Sequence, residues 1–97
     1  MTHPTDCNSM AELRLGIDAL DRELIALLTR RASFIDRAIQ LKPAENLPAR
    51  IDNRVEQVVS NVRHLATQQG LDPALAEDIW RTVIEWSIAR EQRVLGD

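Results

Sequence analysis

Apolar residues recur along this chain of 97 residues at spacings of three and four, the repeat of one helix face, with no alternating strand pattern. The first run is Leu13, Ile17, Leu20, Leu24 and Leu27, resuming at Phe34, Ile35, Ala38 and Ile39. Ser9-Met10-Ala11-Glu12 precedes it and reads as a capping box, a hydroxyl at the cap and a carboxylate three residues later. Gly16 costs about 1 kcal/mol against Ala but does not break a long helix. No further Gly or Pro intervenes before Pro43. The pattern predicts one helix from about Met10 to Lys42, roughly 50 Å long at 1.5 Å per residue.

Pro43-Ala44-Glu45-Asn46-Leu47-Pro48 then reads as a loop. A second helix is expected from Pro48 or Ala49, with Ile51, Val55, Val58, Val62 and Leu65 as its stripe and Gly70 as its C-terminal cap. Asp72-Pro73 opens a third helix, Asp as cap and Pro at the first helical position. Its stripe is Leu75 or Ala76, Ile79, Trp80, Val83, Ile84 and Ser87, running on towards Val94. The expected fold is all-α: a single domain over 1–97, three helices, and an extended N-terminal segment over 1–8.

The lengths constrain the assembly. Two shorter helices cannot cover the whole apolar stripe of the first. The uncovered part calls for a second copy, so the expected state is an intertwined homodimeric helical bundle with the long helices crossing or antiparallel. The alternative is a monomeric helical hairpin with a frayed end. A chain this small also gains from a partner because it buries a modest share of its surface alone.

Composition narrows the function classes. Hydrophobic residues are 44% and charged residues 28%, a globular mixture. A formal charge of -3 argues against nucleic acid, which needs a basic surface. No apolar run suits a bilayer and no signal peptide is visible, so no membrane partner is expected. The single cysteine, Cys7, has no internal disulfide partner, which fits a reducing cytoplasm. No metal-ligand spacing and no cofactor loop are present, so neither a metal nor a cofactor is expected.

The cations of the first helix carry the candidate chemistry. Arg14 and Lys42 are four heptads apart and share a face on a supercoiled helix. Arg31 interrupts the apolar stripe, where a guanidinium is costly unless it meets an anion. Arg14 and Lys42 stand about 42 Å apart along one helix. In an antiparallel dimer, Arg14 of one chain approaches Arg31 and Lys42 of the other, giving two cationic pockets with Arg54 as a fourth candidate. On spacing alone, solvated charges or ion pairs are the favoured reading of these residues.

The chain resembles the all-helical chorismate mutases, and within them a subgroup similar to isochorismate–pyruvate lyase. The resemblance lies in Pro4-x-Asp6-Cys7, Leu13-Arg14-x-x-Ile17-Asp18-x-Leu20-Asp21, Arg30-Arg31, Lys42, Arg54-Val55, Gly70-Leu71-Asp72 and the Trp86-to-Glu91 segment. It implies a small dicarboxylate substrate, chorismate or isochorismate. Arg14 from the partner and Arg31 would clamp its carboxylates, as guanidinium groups do bidentately. Lys42 would donate to a carboxylate and the ether oxygen, Arg54 would line the pocket, and Ser87 would bond the ring carboxylate. Glu91 falls where many members carry a glutamine that touches the ether oxygen.

The implied reaction is pericyclic and needs no nucleophile, only donors to charge that grows on the ether oxygen. Two departures stand out. An ionised Glu91 would repel that oxygen, so it would have to carry a proton, and catalysis is expected to weaken as pH rises. The alternative for Glu91 is an exposed partner of Arg90 or Arg93. Val55 stands where dedicated mutases often have a glutamate for the ring hydroxyl, which keeps the lyase reaction open: isochorismate to salicylate and pyruvate. A non-catalytic helical dimer that regulates another protein is the reading from a different class.

Overall fold

The computed structural model describes residues 3–96. It contains three α-helices: α1 (Met10–Leu41), α2 (Asp52–Gln69) and α3 (Pro73–Leu95). Among the described residues there is no strand, as the three-and-four periodicity predicts. Cα packing divides the chain within α1 into two compact units, Met1–Phe34 and Ile35–Asp97.

The first unit holds one turn of 3-10 helix, Pro4–Asp6, inside the segment expected to be extended, followed by most of α1. The N-terminal cap differs in detail from the expected box. Ser9 Oγ accepts from Glu12 N (3.2 Å), but the Glu12 carboxylate takes the N–H of Asn8 (2.8 Å). No residue of α1 is buried. Leu24 and Leu27 are each 57% exposed, and Ile17 and Leu20 only slightly less. Pro4 and Cys7 face Leu13, Gly16, Ile17 and Leu20 across an open, mostly apolar groove of about 970 Å³. The stripe is present as predicted, and Ile17, Leu20, Leu24, Leu27 and Phe34 stand exposed on it.

The second unit is built on the packing of α2 against α3. Ala49, Val59, Ile84 and Ile88 form its buried cluster, with Val55, Val58, Trp80 and Leu95 packed around it. The faces are turned slightly from those expected. In α2 the buried residues are Val59, Val62 and Ala66, and Leu65 is exposed; in α3 they are Ala76, Ile84, Ser87, Ile88 and Glu91, with Leu75, Ile79 and Val94 outside. Arg81 bridges the two helices by ion pairs to Glu56 and Glu77, and Arg63 reaches Glu77 as well.

The turns follow local chemistry. Gly70 has a left-handed φ of 79°, which a glycine adopts without a Cβ clash. Gly70 N donates to Thr67 O and Leu71 N to Ala66 O, the two bonds of a Schellman cap. The Asp72 side chain accepts from Ala74 N (2.9 Å) and Pro73 starts α3. The second helix starts later than the pattern suggests, at Asp52 instead of Pro48 or Ala49. Ile51 is extended (φ -125°, ψ 101°), and long-range bonds hold the segment before it. Lys42 Nζ donates to Ala49 O (2.9 Å), and Arg50 makes two bonds to Glu85 on α3.

Candidate active site

Lys42 and Glu91 are the predicted residues that the second unit brings together. Lys42 follows the last residue of α1, and its N–H still donates to Ala38 O (2.9 Å), so its backbone continues the helix ladder. The next bonds turn the chain: Asn46 N reaches Pro43 O and Leu47 N returns to Lys42 O. Asn46 takes the left-handed φ of 56° that this turn needs, a conformation asparagine tolerates better than most residues. The loop thus folds back sharply and carries Ala49 beneath the lysine.

The Lys42 ammonium lies 2.6 Å from Glu91 Oε1, with side-chain exposures of 16% and 5%. Its aligned hydrogen bond goes to Ala49 O. Glu91 Oε1 is buried and has no aligned donor among the described residues, so the Lys42–Glu91 contact is one of charge. A buried carboxylate is costly unless a cation faces it. Glu91 is therefore neither exposed nor a partner of Arg90 or Arg93, the alternative that the sequence left open. Arg90 is taken by Asp36, through Nε to Oδ1 (2.6 Å) and Nη2 to Oδ2 (3.1 Å). Each member of that pair holds the other in its charged form, lowering the Asp36 carboxyl and raising Arg90.

Ser87 is buried one turn before Glu91 on the same face of α3, and its Oγ donates to Val83 O (2.8 Å). Val55 packs against the buried cluster and offers no polar group. Arg54 is exposed beside it and donates to Gln57 Oε1 (2.7 Å) on its own helix. Arg14 and Arg31 belong to the first unit, Arg14 exposed and Arg31 half-buried. Sequence reasoning missed Ala49, Asp36 and Arg50. Ala49 contributes only a backbone carbonyl, which no residue type announces.

Residues 13–92 match the model of the family described as chorismate mutase type II. The chain belongs to that family. Every candidate residue, from Arg14 to Glu91, lies inside the stretch matched to chorismate mutase type II. The chain is 30% identical over 92 residues to the isochorismate pyruvate lyase of Pseudomonas aeruginosa, covering 94% of this chain and 89% of that one. It is 23% identical to the chorismate mutase of Methanocaldococcus jannaschii, covering 91% and 89%. It is 31% identical to the T-protein of Haemophilus influenzae, of which it spans only 22%. Among the described residues, no helix is long and apolar enough to cross a membrane.

Proposed function

We propose that the chain is a chorismate mutase, rearranging chorismate to prephenate in cationic pockets shared between two copies. The observation that carries the reading is the buried Lys42–Glu91 contact in a chain of the chorismate mutase type II family. Lys42 is the cation for the breaking carbon–oxygen bond. As that bond stretches, charge gathers on the ether oxygen, and a fixed ammonium stabilises the transition state more than the ground state. Arg31 and the second copy's Arg14 hold the carboxylates, with Arg54 and Ser87 lining the pocket. Fixing the enolpyruvyl arm over the ring supplies the rest of the rate.

Glu91 has two roles in this reading. In the free chain it is the counter-ion of Lys42. With substrate bound, anionic oxygens compete for that ammonium, and Glu91 serves as a donor to the ether oxygen only when it carries a proton. The homodimer belongs to the same proposal and is supported by the uncovered face of α1. A cytoplasmic location completes it, in keeping with a single free cysteine.

A second reading has its own support. Val55 offers an apolar surface where a mutase would bind the ring hydroxyl, and the similarity to an isochorismate pyruvate lyase extends over 94% of the chain. Parallel assays of the purified protein with chorismate and isochorismate separate the two. Prephenate from chorismate is the expected result. Salicylate and pyruvate from isochorismate without prephenate would replace it with the lyase. Turnover of neither, with full function retained in Arg31→Ala and Lys42→Ala, would favour the non-catalytic dimer.

A further inference from the structure

The C-terminal end of α1 is only lightly held in its unit. Ile35, Asp36, Ala38 and Ile39 are half-buried, and none is buried. The unit's own packing is α2 on α3. Two side-chain bonds that cross from this part of the chain to α3 are Lys42 to Glu91 and Arg90 to Asp36. Under the function proposed above, substrate oxygens draw on Lys42, whereas the Asp36–Arg90 bond involves no group that the substrate would engage.

We propose that Asp36 and Arg90 are positioning residues: their two-pronged bond clasps the end of α1 to α3 and so sets where Lys42 stands relative to Glu91. The geometry suits that role. The guanidinium presents two parallel donors to both carboxylate oxygens, which fixes direction as well as distance. The Arg90 guanidinium also lies over the Trp86 ring, 5.4 Å from its centroid, so the Arg side chain is pinned by its own helix.

Arg90 directly precedes Glu91, and Asp36 lies about 9 Å along α1 from Lys42 at 1.5 Å per residue. Because Lys42 N donates to Ala38 O, a shift of the helix end carries the lysine with it. A displacement of 1 Å in a positioned group can cost about a hundredfold in rate. An exposed ion pair with no positional consequence is the competing account, since such pairs add little stability.

Kinetics of Asp36→Asn, Arg90→Gln and the charge-swapped pair Asp36→Arg/Arg90→Glu test the proposal. Each single variant is expected to lose about tenfold in kcat with KM within about twofold, and the swap to recover most of the loss. Full kcat in both single variants, or a swap no better than the single variants, would overturn the clasp. A second measurement needs no turnover and so separates failure of the clasp from failure of the proposed reaction. The Lys42–Glu91 coupling, taken from unfolding of Lys42→Met, Glu91→Gln and the double variant, is expected to shrink severalfold in the Asp36→Asn background. An unchanged coupling there would also sink it.

Discussion

Shortening Leu24 to Ala should weaken self-association far more than it disturbs the fold. Leu24 is 57% exposed on the stripe of α1. Fully burying a leucine is worth about 1.5–3 kcal/mol, so covering the exposed part adds about 1–1.5 kcal/mol. A two-fold dimer contains the residue twice, which raises the loss to about 2–3 kcal/mol per dimer. At about 1.4 kcal/mol per tenfold, the dimer dissociation constant should rise about 30- to 150-fold. Sedimentation velocity over a dilution series measures this directly, with Arg22→Ala, exposed and off the stripe, as the control. Superimposable dilution curves for Leu24→Ala and the natural chain would refute the reasoning, as would a natural chain that stays monomeric at every concentration.

The other predictions concern the second unit. Lys42→Met strands Glu91 in a buried position, which should cost about 3–5 kcal/mol; the loss is read in urea unfolding, and adding Glu91→Gln should recover much of it. Glu91→Gln, which places an uncharged amide donor where the proposal needs one, should keep turnover well above that of Glu91→Ala; equal turnover in the two variants would count against a donor at this position. Arginine hydrogen bonds hold Asp36, Glu77 and Glu85 below their ordinary values of 3.8 and 4.5. For carboxyls lowered in the folded state, the stabilisation is complete above the ordinary values and is lost as pH falls through the folded ones. The urea midpoint should therefore hold steady from neutrality to about pH 5 and fall in stronger acid, and Glu77→Gln should make that fall shallower.

The chain's local chemistry was legible wherever the partners lie within a few residues. Ser9, Gly70, Asp72 and Pro73 mark the helix ends because each acts on its own turn. The start of α2 was not legible. Pro48 looks like a first helical residue, yet the chain stays out of helix as far as Ile51, held by the bonds of Lys42 to Ala49, seven residues apart, and of Arg50 to Glu85, thirty-five residues apart. The three-and-four pattern identified the helices but left their faces loose by one residue, since adjacent apolar residues such as Val58 and Val59 both satisfy it.

The site was legible in its residue types and not in its pairings. Lys42 stood out as a cation at the end of a long apolar helix, and Glu91 as a carboxylate in the wrong place for an anionic substrate. That each neutralises the other depends on how α1 returns past α3, which no short motif encodes. The same holds for Asp36 and Arg90, fifty-four residues apart. Both look like ordinary solvated charges in the sequence.

The central claim, one site built from two chains, is tested most directly by mixing Arg14→Ala protein with Lys42→Ala protein under conditions of subunit exchange. In the hybrid dimer, the pocket that uses Lys42 of the first variant receives Arg14 from the second and is intact. Random pairing makes half the dimers hybrid with one working pocket each, so activity should return to about a quarter of the natural level although each parent is nearly inactive. A mixture no more active than its parents, with hybrid dimers verified by mass spectrometry, would contradict the shared pocket.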